Sequence, residues 1–291
     1  MLMNIKVRVT CFWQDDKSYL NTIRLFGRGL LQWKNVEFVA DNSYDRLVIL
    51  TRPYKDFGEY DIGKAVTFFT EPPASPNRHN NPCARTEVMY LPIPFWPSKI
   101  SGAVKHGGDG IRIRKRKLLS CITSDLNFME GHFYRLRMVD MLDQLITDGL
   151  DIWGKEYGNM FFNRLTNYKG ELVQKYDGLW DYYYHFISEN SFEQGYFTEK
   201  IVDPIVAETL CFYDGCKDLE KFIDERAFVR VNVKEPLDAV DSIIKTIQNN
   251  EYSRRIKYIR QQKKRLLTDL NPLNIIWMSV NDKDVLKECL L

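Results

Sequence analysis

No apolar run in this sequence approaches the ~20 residues needed to cross a bilayer, so no integral membrane segment is expected. The opening stretch MLMNIKVRVTCFW alternates like a strand and lacks the unbroken apolar core of a signal peptide. No Asn-x-Ser/Thr glycosylation acceptor occurs. Cysteine is sparse and unpaired in spacing: Cys11, Cys83, Cys121, Cys211, Cys216 and Cys289 form no Cys-x-x-Cys motif. That pattern argues against both a disulfide framework and a zinc site. Cys11, Cys121 and Cys211 lie in apolar runs, where a free thiol behaves as a small hydrophobe. Charge of one sign is also missing, with Lys+Arg 41 against Asp+Glu 39. Such balance removes the electrostatic case for nucleic acid or a membrane surface as partner. The expectation is a cytoplasmic, soluble protein.

What is present is core-forming material. The 291 residues are 44% hydrophobic and 13% aromatic, enough for one large or two medium domains. The most informative stretch is Tyr182–Lys200, YYYHFISENSFEQGYFTEK. Its aromatic run with Ile187 predicts a buried strand. Ser188, Glu189, Asn190, Ser191 and Gly195 predict a loop, and Thr198 an N-cap for a helix whose apolar face opens with Ile201 and Val202. A strand that feeds a loop and a helix start is where α/β folds hold anions. Lys200 in that first turn opposes the helix dipole, unless it snorkels into solvent or an anion sits nearby.

Strands are predicted over Ile5–Phe12, Val36–Ala40, Arg46–Leu50 and Ala65–Phe69, with a helix over Ser18–Leu31. Gly27 and Gly29 lack the third glycine of a dinucleotide fingerprint and fall late in that helix. Glu71–Asn77, EPPASPN, is an extended loop at a strand's carboxyl end. Ser98–Gly110, rich in glycine, is the best interdomain linker. The basic run Arg112–Lys117 abuts a strand, Leu118–Thr123, without interleaved aromatics, and is expected as a solvated strand edge. Phe133–Ile146 is predicted helical, Leu210–Tyr213 a strand, and Leu237–Gln248 and Tyr252–Leu270 charged helices. Pro204 either kinks the helix after Lys200 or marks its first turn with Asp203 as cap. The α/β rhythm repeats on both sides of the linker, so the fold class is α/β with two Rossmann-like domains facing a cleft, residues 1–110 and 111–291.

Glu189-Asn190-Ser191 followed by Tyr196-Phe197-Thr198-Glu199-Lys200 resembles the ENS…YVTEK signature of the α-1,3/4-fucosyltransferases, glycosyltransferase family 10. Ser188 and Phe197 stand where that family usually has Phe and Val. The resemblance runs from about Leu118 through Leu273 and is loose before it. It implies the GT-B architecture, an inverting and metal-independent transfer, no cofactor beyond the nucleotide-sugar donor, and a glycan as acceptor. GDP-fucose is the first donor expected, a UDP-sugar the alternative, and a non-catalytic nucleotide-sugar-binding module a further one.

Such a transfer needs cations for the departing diphosphate and a base for the acceptor hydroxyl. Arg135 opens R-x-x-M-V-x-x-L, similar to the family helix whose arginine meets the diphosphate; Arg137 competes, and pairing of Arg135 with Asp140 or Asp143 is the structural alternative. Lys200 would supply the second charge. Glu199 matches the family glutamate that holds the ribose, Glu189 is expected to accept from ribose or sugar hydroxyls, and Asn190, Tyr196 and Thr198 complete the nucleotide-sugar set. Glu71 resembles the family's base-loop glutamate and ranks first as catalytic base, with Asp15 and Asp16, in the loop after the first strand, behind it. Asp282-Lys283-Asp284 is a poor imitation of a metal-binding DxD, and no metal site is expected.

Overall fold

β-branched and aromatic runs of four to eight residues form the central strands of two largely parallel sheets. The computed structural model describes residues 3–100 and 113–291. The linker expected over Ser98–Gly110 lies, from residue 101 on, outside the described residues, as does Arg112. The chain divides into two units: Met1–Ile111 with Lys264–Leu290, and Arg112–Lys263 with Leu291.

Unit 1 contains β1 (Ile5–Cys11), α1 (Asp16–Phe26), β2 (Gln32–Trp33), β3 (Val36–Val39), β4 (Arg46–Leu50), β5 (Ala65–Phe68) and β6 (Arg85–Thr86). The sheet order is β2-β3-β1-β4-β5-β6, parallel except for β2. α1 ends at Phe26 and not at Leu31, because Gly27 caps it and its N–H returns to the Ile23 carbonyl at 2.8 Å.

Unit 2 contains β7 (Lys117–Ser124), α2 (Glu130–Leu145), β8 (Leu150–Lys155), β9 (Tyr182–Ser188), α3 (Glu199–Val206), β10 (Leu210–Asp214), β11 (Phe228–Arg230) and α4 (Pro236–Gln248). Its all-parallel order is β11-β10-β9-β7-β8. α3 begins at Glu199 with Thr198 as cap, so Pro204 falls inside the helix. The basic run is not uniformly solvated. Period-two alternation leaves Arg114 and Arg116 exposed but turns Lys115 inward. Lys115 Nζ donates to the carbonyls of Leu179 (3.2 Å) and Ala207 (2.7 Å) and to Thr209 Oγ1 (2.8 Å). Burial brings that amine down to about 7.

The expected second domain, 111–291, loses its tail to unit 1. After α5 (Glu251–Leu267), α6 (Pro272–Val280) is apolar nearly all round and needs cover on every side. Unit 1 supplies it: Asn271 Nδ2 donates to the Phe26 carbonyl at 3.1 Å, and Trp33 Nε1 to Asn274 Oδ1 at 3.2 Å. Among the described residues, no helix is long and apolar enough to cross a membrane.

Candidate functional site

In unit 2 the chain passes from β7 outward to β8, then returns to the other side of β7 as β9. The β7/β9 junction is therefore the switch point of the sheet, the position beyond the carboxyl ends at which open α/β sheets hold their ligands. Arg135, on α2, spans this junction. Its Nε donates to Thr123 Oγ1 near the end of β7 (2.9 Å), and its Nη1 to the Ser188 carbonyl at the end of β9 (3.0 Å). Nη1 also reaches Asn190 Oδ1 at 2.9 Å. The residue is 3% exposed, and burial lowers its pKa. All three acceptors are neutral. Neither acid offered as an alternative partner takes it: Asp140 pairs with Arg164 at 3.2 Å, and Asp143 accepts the N–H groups of Thr166 and Asn167. Arg137 is exposed on the opposite side of α2.

The first turn of α3, which the loop after β9 leads into, carries the second cation. Lys200 Nζ lies 3.4 Å from Glu189 Oε2 and 3.5 Å from Glu199 Oε1. Burial works against the ammonium, but the two carboxylates outweigh it and raise its pKa. Arg135 is close enough to repel it. The sequence-level conflict between Lys200 and the helix dipole is thus settled by two anions. Glu199 keeps one-fifth of its side chain exposed. Burial opposes its charge, yet Lys200 and then Lys175 prevail and bring it down to about 2. Lys175 in turn holds Asp203 at 2.9 Å.

Glu189 is fully enclosed, unlike a residue awaiting sugar hydroxyls. It accepts from the Thr198 N–H (2.9 Å), the Thr198 hydroxyl (2.8 Å) and the Tyr213 hydroxyl (3.2 Å), and burial raises its pKa. Its work is to hold the cap residue and Lys200 in place. Thr198 also accepts from the Lys200 N–H at 3.3 Å, and Tyr196 is buried beside the loop. Two glycines make this packing possible. A Cβ on Gly131 would collide with the Glu189 carbonyl, and one on Gly215, at φ +148°, with the Glu189 side chain.

His132 was not among the sequence candidates, although it lies three residues before Arg135 on the same helical face. It is 2% exposed, hydrogen-bonds Asn190, and packs edge-on to Phe128 at 4.7 Å. Burial, then Arg135 and Lys200, push it down to about 4. Its Nδ1 and the Ser188 hydroxyl are buried without a partner among the described residues.

The three base candidates lie in unit 1. Asp15 caps α1, accepting the Ser18 N–H at 3.0 Å. Asp16 pairs with Arg8 at 2.6 Å. Glu71 follows β5, half-buried, with its carbonyl taken by Arg78 Nη1 at 3.2 Å. No group of three His, Cys, Asp or Glu side chains that could hold a metal occurs among the described residues. A hollow of about 530 Å³ at the β11 edge is lined by Arg226, Arg230 and Arg255, but each already faces a carboxylate, at 2.6, 3.0 and 3.0 Å. It has no charge left to offer.

No protein-family model and no curated protein sequence matches the chain. Solved structures do. An α1,3-fucosyltransferase with GDP superposes at TM-score 0.55 and 16% identity, over 87% of this chain and 81% of that one. The DNA-modifying β-glucosyltransferase, solved with and without uridine diphosphoglucose, gives 0.54 at 12%, over 96% and 100%. A glycosyltransferase from Rickettsia africae gives 0.51 at 9%, over 97% and 99%. At these identities the likeness is one of fold: the chain has the α/β GT-B fold.

Proposed function

We propose that the chain is an inverting glycosyltransferase that moves a sugar, L-fucose from GDP-fucose in the first instance, onto a hydroxyl of a glycan. The observation that carries this reading is Arg135 at the β7/β9 switch point, a buried guanidinium with only neutral acceptors, close to Lys200. That pair fits a nucleoside diphosphate, whose oxygens a guanidinium fork can take two at a time. Glu199, ionised and partly exposed, suits the ribose hydroxyls. Asn190, held by Arg135, offers neutral hydrogen bonds, and Tyr196 shapes the wall. In the displacement the acceptor oxygen bonds to the anomeric carbon while the carbon–oxygen bond to the diphosphate breaks, its electron pair leaving with the diphosphate. The hydroxyl proton passes to a carboxylate, for which Glu71, on the loop after β5, is first choice by its likeness to the family's base-loop glutamate; Asp15 caps α1 and Asp16 pairs with Arg8. Arg135 and Lys200 offset the charge gained by the leaving group without calling on a metal. A UDP-sugar is the second reading, favoured by the coverage of 96% and 100% against the UDP-glucose enzyme.

Thermal melts with GDP, UDP and their sugar conjugates test this, because a ligand bound only by the native state raises its stability by RT ln(1 + [L]/Kd). The expected result is a rise with GDP and GDP-fucose that Arg135→Lys and Lys200→Ala reduce by about tenfold or more in affinity. A rise with UDP-sugars alone would discard fucose. No rise with any nucleotide, in a protein that melts cooperatively, would sink the transferase reading.

A further inference from the structure

Apart from the antiparallel edge strand β2, the sheet of unit 1 repeats the strand order of unit 2. The chain goes from β1 to β3 on one side and then to β4 on the other, so the β1/β4 junction is its switch point. Thr51, the first residue past β4, has φ +63°, a strained conformation for a β-branched residue. Four hydrogen bonds hold it there. Its N–H donates to the Phe68 carbonyl (2.8 Å), its hydroxyl pairs with that of Thr70 (2.8 Å) and accepts the Thr70 N–H (2.9 Å), and its carbonyl accepts from Asn81 (2.8 Å).

This bend delivers Arg52 to the switch point. Its guanidinium carbon lies 4.9 Å from the ring centroid of Phe12, the residue that follows β1. Its Nε is buried with no partner, and Nη2 reaches Asn77 Oδ1 only at 3.5 Å. Arg78, next along the same loop, lies 3.6 Å over the Phe69 ring and donates to the Glu71 carbonyl and, at 2.9 Å, to the Tyr90 hydroxyl. Neither guanidinium has an ion pair among the described residues, whereas Arg8 and Arg85 of the same unit face Asp16 and Glu87 at 2.6 and 2.8 Å. Aromatic faces fix a guanidinium while leaving its charge uncompensated. Arg52 touches the loop that carries Glu71 at Asn77, and Arg78 is the next residue of that loop.

We propose that Arg52 and Arg78 form an oxyanion subsite beside Glu71, and that the acceptor sugar carries a carboxylate, or a sulfate or phosphate ester, near the hydroxyl that is glycosylated. This rests on the transferase reading, with unit 1 as the acceptor side. A glycan is favoured over a nucleic acid because tracking a polyanion takes many phosphate contacts, and the chain has Lys+Arg 41 against Asp+Glu 39. Two guanidinium groups match one anionic substituent.

The side-chain Nε–H signals of the full-length, ¹⁵N-labelled protein, assigned with Arg52→Gln and Arg78→Gln, report on the subsite directly. Sulfate is titrated against chloride at constant ionic strength, with GDP or UDP present to fill the site in unit 2. The Arg52 and Arg78 signals are expected to move together and saturate, while that of the exposed Arg137 stays put. Either glutamine variant should weaken the response of the remaining arginine by about tenfold. Signals that move no more than Arg137 overturn the inference. Glucuronic acid, glucose 6-phosphate and glucose then separate carboxylate from phosphate ester; glucose binding as well as either acid overturns it too. A DNA duplex that displaces all three with steep salt dependence overturns the glycan assignment. Nucleotide binding without an oxyanion response defeats this inference alone, whereas no nucleotide binding defeats the transferase reading beneath it.

Discussion

Two buried histidines tie the stability of unit 2 to pH. His185, on β9, shares a 2.8 Å hydrogen bond with Ser120, and burial, then Lys175, push it down to about 3. His132 is down to about 4. In the unfolded chain both return to ~6.5. Between those values the unfolded state binds more protons, so stability falls as pH falls from 6.5 toward 3. By pH 5 each histidine has removed about 2 kcal/mol, at 1.4 kcal/mol per pH unit. Urea unfolding at pH 7 and pH 5 measures this, and His185→Gln should flatten the dependence by that amount whatever it does to stability at pH 7. An unchanged slope would show that His185 is not neutral in the fold. The same two residues mark the limit of sequence reading at this scale. Arg135 and Lys200 were legible because charged residues at a helix start and in a spaced motif require a reason. His132 and His185 were not, because an isolated histidine in an apolar segment gives no sign of what it faces after folding. The sequence marks Glu189 as a polar loop residue, but its enclosure by Thr198, Tyr213 and Lys200 depends on Gly215 and Gly131, which come from other elements.

At the scale of elements, β9, its loop and α3 form one continuously hydrogen-bonded unit. β9 pairs with β7 and β10 along its length, the loop is clamped by Glu189, and Thr198 caps the helix. α2 docks onto that loop at Gly131, whose N–H donates to the Asn190 carbonyl at 3.2 Å. Gly131→Ala should therefore act on two observables together. Overpacking of this kind costs about 1–3 kcal/mol, and the shift of α2 should draw Arg135 away from Ser188 and Asn190, lowering nucleotide affinity. Urea melts and nucleotide titrations check both; loss of stability with affinity unchanged would mean that α2 yields elsewhere. The strand–loop–helix unit was readable because its periodicity switches cleanly and Thr198 announces the cap. The end of α1 is not legible in the sequence, because Leu30 and Leu31 prolong the apolar pattern beyond Gly27, and a pattern cannot report where a backbone turns. Lys115 was hidden within a basic run in which Arg114, Arg116 and Lys117 are exposed.

For the whole molecule, the chain leaves unit 1 near residue 111 and returns to it at Lys264. The sequence offers no mark of this return, since α5 continues across it as one charged helix. The information lies in α6, which is too apolar to sit at the end of a solvated tail. Leu273, Ile275, Ile276, Met278 and Val280 are all buried, at roughly 2 kcal/mol each. That sum is comparable to the whole net stability of a domain, about 5–15 kcal/mol. Removal of residues 264–291 should then unfold or loosen unit 1, beginning with α1 and β2, which lose Asn271 and Asn274 as partners. Unit 2 keeps its sheet together with Arg135, Glu199 and Lys200, so it should still bind nucleotide. Hydrogen exchange on the truncated chain tests the division: fast exchange in α1, β2 and β3 with protection retained in β7, β9 and β10 is the expected pattern. Equal loss of protection in both sheets would mean that the two units fold as one, and that the acceptor-side and donor-side readings cannot be probed apart. Protection retained in both would mean that α6 is an accessory to unit 1, despite its burial.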